Sequence, residues 1–177
     1  SEMRPHMYAP DAVRGNDGRY YLYYSLAGYR GRGGYNGPIS VAVCDTPGGQ
    51  YEYLGFVRNP DGSPLKRFVP FDPALLNDNG TIRLTYGTLF PFDEHENALN
   101  RNMFRKIQSR IFNKSPEEIE AEPGGVMGAV SCVLADDMLT VTSGPVRIIP
   151  NKVRGTSFAG HPFFEAASLR KIDDTYY

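Results

Sequence analysis

The chain has 177 residues, enough for one domain with a real core, and its 19 basic and 20 acidic residues leave a net charge of −1. That balance supplies no long-range pull toward nucleic acid or an anionic membrane, and no apolar run approaches the ~18 residues of a membrane-spanning helix. Twelve Tyr, ten Phe, nineteen Gly and fourteen Pro favour an all-β domain with many turns.

The opening stretch, Ser1 to Met7, lacks the charged-then-apolar layout of a signal peptide. The compartment stays open between cytoplasmic and secreted. Strand signals then come in short bursts. Arg19–Ser25 is aromatic-rich and follows an Asn16-Asp17-Gly18 turn. Ile39–Cys44 and Tyr51–Val57 flank the turn formers of Asp45–Gln50 and read as a hairpin. Thr81–Gly87 follows Asn77–Gly80 in the same manner. Between residues 96 and 122 the pattern turns helical, with Leu99, Met103, Ile107 and Ile111 at four-residue spacing. Ser115, Pro116 and Glu118 supply an N-cap, a first-turn proline and a capping-box glutamate for a second short helix, which Pro123 and Gly124 end. Strands resume at Met127–Leu134 and Met138–Thr142, around the turn Ala135–Asp137. Cys44 and Cys132 lie in apolar strand-like runs and are expected to pack as small hydrophobes.

Three stretches share one layout of acid, small apolar strand, turn and second strand. They are Tyr8–Ser25, Phe71–Gly87 and Phe164–Tyr177, led by Asp11, Asp72 and Glu165. The first two acids are 61 residues apart and the next two 93, and the excess of 32 is close to the length of the helical insertion at 91–123. Four-stranded antiparallel units repeated at such a period are the blades of a β-propeller. Each unit would begin with its innermost strand, which brings the leading acids to one channel mouth. The long connections Leu26–Pro38, Arg58–Pro70, Thr88–Gly125 and Pro150–Phe163 return to the same face, and the tight turns fall at the other.

Carboxyl groups converging on a channel mouth suit cleavage of a glycosidic bond, in which one protonates the leaving oxygen and another activates water or attacks carbon. Taken singly, Asp11 and Asp72 have a plainer reading: each begins a strand and accepts nearby backbone N–H groups. Glu165 stands between Pro162-Phe163-Phe164 and Ala166-Ala167, which predicts an apolar setting and a carboxyl that keeps its proton. Three acids in one repeat register favour the functional reading.

Ala9-Pro10-Asp11 before a Tyr-rich strand, Phe71-Asp72-Pro73 before Asn77–Gly80, and Phe164-Glu165 before Ser168-Leu169-Arg170 resemble the blade-opening motifs of glycoside hydrolase family 43. The resemblance spans nearly the whole chain outside the helical insertion. It implies an all-β fold, a partial five-bladed β-propeller of four-stranded antiparallel blades. The second blade would lie at 8–57, the third at 71–150 with the insertion at 91–123, and the start of the fourth at 164–177. It further implies an inverting hydrolase of α-L-arabinofuranosyl or β-D-xylosyl linkages, with a galactan also in range, that requires no cofactor. A structural Ca2+ in the central channel of the full-length protein is compatible with it.

By that resemblance Glu165 is the general acid and Asp72 the residue that tunes and orients it. Asp11, Tyr8 and Phe71 are expected at the substrate pocket. His161, Tyr29 and Arg30 lie on loops that either reach its rim or, in the plainer reading, are ordinary surface loops. The three histidines show no metal-ligand spacing. The expected partner is a carbohydrate, with neither nucleic acid nor membrane, and the oligomeric state stays open. Two departures stand out: Tyr8 replaces a frequent Trp, and Glu165-Ala166-Ala167 replaces a frequent Glu-Gly-Pro. The family's general-base Asp, expected from a first blade, has no counterpart before Tyr8. This chain by itself is therefore expected to be inactive and aggregation-prone, since open blades expose strand edges. Turnover of aryl xylosides or arabinofuranosides comparable to that of a full-length relative would refute that expectation. A catalytically dead, carbohydrate-binding propeller is the alternative from another class.

Overall fold

A computed structural model describes residues 6–27, 35–88, 98–121, 128–150, 155, 157–161, 163 and 165–177. Strands β1 (His6–Arg14), β2 (Tyr20–Ala27), β3 (Tyr35–Cys44) and β4 (Glu52–Phe56) form one antiparallel sheet in sequential order. A second such sheet is built from β5 (Ala74–Asp78), β6 (Thr81–Thr88), β7 (Gly128–Leu134) and β8 (Val141–Pro150). Helices α1 (Ala98–Ile111) and α2 (Pro116–Ala121) interrupt it between β6 and β7, and a hairpin of β9 (Lys171–Ile172) and β10 (Thr175–Tyr176) follows.

Alternation along β2 shows why the sequence folds this way. Tyr21, Tyr23, Ser25 and Ala27 are buried, while Tyr20, Leu22, Tyr24 and Leu26 between them are half-buried. Of these, Tyr21 and Tyr23 join Val13, Ile39 and Val41 of the first sheet to Leu75, Ile82, Leu84, Tyr86 and Val130 of the second in one core. The first strands of the two sheets, β1 and β5, lie side by side. This is the arrangement expected of neighbouring blades around an axis.

Polar bonds tie the sheets together at their turn ends. Asn16, just past β1, donates to Gly80 O at 2.8 Å and to Asp136 Oδ1 at 3.0 Å. Asn77 in β5 donates to Arg14 O at 3.0 Å and accepts the Gly80 N–H at 2.8 Å. In the core between the sheets, the fully buried Tyr23 hydroxyl donates to Met138 O at 2.6 Å. Tyr23→Phe leaves that carbonyl unsatisfied in the core and is expected to cost about 1–3 kcal/mol of stability. An unchanged urea midpoint would contradict this placement.

The structure corrects the sequence at several points. The last long strand begins at Val141, not Met138, and runs to Pro150. Asp137 accepts the N–H groups of Leu139 and Thr140 at 2.9 and 2.8 Å, and Met138 takes a φ of 63°, so the chain is still turning there. Met138 and Leu139 instead plug the core. Burial, the largest influence on the Asp137 carboxyl, pulls its pKa up. Hydrogen bonds from Thr140, Leu139 and Arg58 outweigh that and hold it at about 2. The capping box forms, with Ser115 and Glu118 exchanging bonds of 2.7 and 3.1 Å. The helical stripe is less buried than its spacing predicts: Met103 is 50% exposed, and Phe112, outside the stripe, is buried. Four-residue steps drift around a helix of about 3.6 residues per turn, which carries successive positions off one face. Cys132 is buried and Cys44 half-buried; both are free thiols.

The hairpin β9–β10 is held to the second sheet by Asp78, a buried carboxylate. It accepts from Lys171 Nζ at 2.8 Å, Tyr176 Oη at 2.6 Å and Arg83 Nε at 3.0 Å. These partners hold its pKa well below the ordinary carboxylate range. A depressed folded pKa contributes stability that is present above about pH 4 and lost as acid protonates the group. Asp78→Asn is accordingly expected to lower the unfolding midpoint at pH 7 and to converge with the wild type in strong acid. A gap that does not change with pH would show that the charge is not what holds the hairpin.

Candidate active site

The first opening motif contains a bulge. The β1–β2 register shifts between Tyr8 and Asp11, with Ala9 at a φ of 42°. The Tyr8 ring packs against that of Phe71, with centroids 6.3 Å apart and planes tilted by 51°. Phe71 is buried and supports Tyr8, while Tyr8 itself is exposed. Asp11 reaches across to the second sheet, where its Oδ2 accepts the Leu75 N–H at 2.7 Å.

The second motif is held from behind. Phe71 O accepts the Gly87 N–H at 2.8 Å. Gly87 has a φ of +126°, and a Cβ there would collide with the Gly128 carbonyl, so the close approach of these strands needs glycine. Asp72 follows with a φ of 52°, a left-handed conformation that Asp tolerates better than most residues. Its side chain is buried, and its Oδ2 accepts the Ala166 N–H at 3.0 Å. Burial raises the Asp72 pKa to about 6; the Ala166 N–H opposes the rise and the negative charge of Glu165 adds to it. Asp72 and Glu165 are therefore close neighbours in space.

The environment of Glu165 departs from expectation. Its side chain is exposed, as is Ala166, while Phe163 and Ala167 are half-buried. The desolvated carboxyl of the pair is Asp72. A run of apolar neighbours in sequence does not bury a residue when the chain is not in a strand and Ala166 adopts a φ of 57°, aiming adjacent side chains in different directions. His161 is exposed, and its backbone N–H donates to Phe158 O at 2.8 Å. Among the described residues no hydrogen bond joins its ring to either acid. Tyr29 and Arg30 lie outside the described residues, as do Phe90, Phe92, His95 and Phe164.

Sequence reasoning missed the Asp78 cluster and the Asn16–Asn77 stitch. The second had a signal: Asn16 and Asn77 are 61 residues apart, the same separation as Asp11 and Asp72. Among the described residues no three His, Cys, Asp or Glu side chains gather as a metal site.

Two antiparallel four-stranded sheets lying side by side along their first strands, each opening on an acid, are the arrangement of neighbouring β-propeller blades. No protein-family model matches the chain. It is 40% identical over 177 residues to a xylosidase/arabinosidase of Thermoclostridium stercorarium, covering 97% of this chain and 30% of that protein. Among solved structures it is similar to a family 43 β-xylosidase/α-arabinofuranosidase from a compost microbial metagenome, in complex with xylotriose and in calcium-free form. That match has 24% identity and a TM-score of 0.59, over 97% of this chain and 48% of that one. It is also similar to an exo-1,5-α-L-arabinanase from a bovine ruminal metagenomic library, at 21% identity and a TM-score of 0.57, over 98% of this chain and 45% of that one. The fold of the family 43 enzyme thus holds along nearly the whole chain, and the likeness in sequence is to the xylosidase/arabinosidase. The chain spans under half the length of each of these relatives.

Proposed function

We propose that this chain supplies the general-acid side of an inverting glycoside hydrolase acting on β-D-xylosyl or α-L-arabinofuranosyl units. The observation that carries the reading is the junction of Asp72 with the Glu165 segment: a buried carboxyl bonded to Ala166 N–H and pushed up by burial and by the adjacent charge. Burial, with the adjacent Glu165 charge, lets Asp72 hold a proton into the weakly acidic range. Only Glu165 is open to a bound glycoside. It is the partner that can protonate a leaving oxygen, with Asp72 setting the charge beside it. The exposed ring of Tyr8, propped by Phe71, offers a platform for a sugar face. An inverting hydrolase also needs a carboxylate general base to activate water.

The names of the sequence relative and of the compost enzyme, the latter with xylotriose bound, support the choice of sugars. The test is turnover of aryl β-D-xylosides and α-L-arabinofuranosides by the complete protein, with the anomer of the first-formed product read by NMR. Release of the inverted sugar, independent of added phosphate, is expected. Retention of configuration, a sugar phosphate as product, or carbohydrate binding without turnover would each overturn the reading.

A further inference from the structure

Asp11 does something the opening motif does not announce. Among the described residues strand β5 pairs with a single neighbour, β6, so alternate N–H groups along its other edge have no ladder partner there. One of these belongs to Leu75, which is buried. Asp11 Oδ2 takes that N–H at 2.7 Å from the neighbouring sheet. Leu75 lies three residues beyond Asp72. On the other side of Asp72, Phe71 O is fixed by the Gly87 N–H at 2.8 Å. The left-handed turn at Asp72 is thus clamped at both ends, and Asp11 is the end that comes from another sheet.

The motif repeats one sheet further on, where Asp72 accepts the N–H of Ala166, beside Glu165. In each case the opening acid of one unit fixes the backbone at the opening of the next. From this we infer that Asp11 is a positioning residue: its carboxylate, through the Leu75 N–H, sets the backbone from which Asp72 meets the Glu165 segment. This rests on the proposed roles of Asp72 and Glu165. It departs from the expectation that Asp11 contacts sugar. The Leu75 amide is buried, and removing its acceptor leaves the N–H without a partner.

The test compares Asp11→Ala with Asp11→Asn in the complete protein. Alanine removes the acceptor; asparagine keeps an oxygen for Leu75 but discards the charge. Expected for Asp11→Ala is a fall in kcat on the order of 10²-fold, as for other small misplacements of reacting groups, with KM within about threefold of wild type. Hydrogen exchange at the Leu75 amide should accelerate in parallel. Asp11→Asn should restore both the kcat and the slow exchange. If Asp11 instead bound substrate, both variants would raise KM and asparagine would rescue nothing, which would overturn the inference. Unchanged exchange at Leu75 in Asp11→Ala would overturn it equally. Exchange is read without substrate, so a wild-type protein with no turnover would refute the hydrolase reading while leaving the clamp to be judged by the Leu75 amide.

Discussion

Glu165→Gln in the complete protein is expected to lower kcat on xylo- or arabino-oligosaccharides by ~10²–10⁴-fold, the usual worth of a general acid. The loss should shrink sharply on aryl glycosides whose phenol departs without a proton. Glu165 is exposed beside a buried carboxyl, and Gln keeps its size and leaves the Ala166 N–H free to bond Asp72. What disappears is the transferable proton. A plot of log kcat/KM against leaving-group pKa should therefore steepen in the variant. Full activity on oligosaccharides, or an equal loss on every leaving group, would remove Glu165 from the acid role.

Asp72→Asn should trade activity for stability. The Asp72 pKa rises from its ordinary value near 3.8 to about 6 on folding, because burial penalises the charged form and Glu165 repels it. A raised folded pKa contributes stability that is full below the unfolded pKa and is lost as pH climbs through about 6. Asparagine suits the φ of 52° and can still accept the Ala166 N–H, but it has no charge to desolvate. The variant is expected to gain on the order of 1–3 kcal/mol at pH 7.5 and little at pH 4 by urea unfolding. On the proposed mechanism its kcat should drop by ~10²-fold or more, the stability–activity exchange common at functional sites. Destabilisation at pH 7.5 would show that the charge of Asp72 is favourable where it lies.

How far the sequence carried this reading depends on what each residue's signal consists of. The period of 61 from Asp11 to Asp72 is a one-dimensional quantity, and the two sheets follow from it together with the alternation in β2. The capping box of α2 is equally local. Burial at the site is not local. Asp72 is enclosed and Glu165 open, against what the apolar flanks of Glu165 indicate, because enclosure comes from the partner sheet and from the segment around Ala166. The plain reading of the opening acids as acceptors of backbone N–H groups is correct for both Asp11 and Asp72, but the amides they take belong to the next unit of the fold. The Asp78 cluster joins residues 93 and 98 apart, a coincidence that only packing creates. Asn16 and Asn77 were overlooked because asparagine in a turn already has an ordinary explanation.

Direct observation of the Asp72 side-chain carboxyl by 13C NMR, titrated in the wild type and in Glu165→Gln, goes to the heart of the account. A midpoint near 6 that moves downward once the neighbouring charge is removed is predicted. A midpoint near 4, or one indifferent to the substitution, would mean that the two carboxyls do not act as a pair.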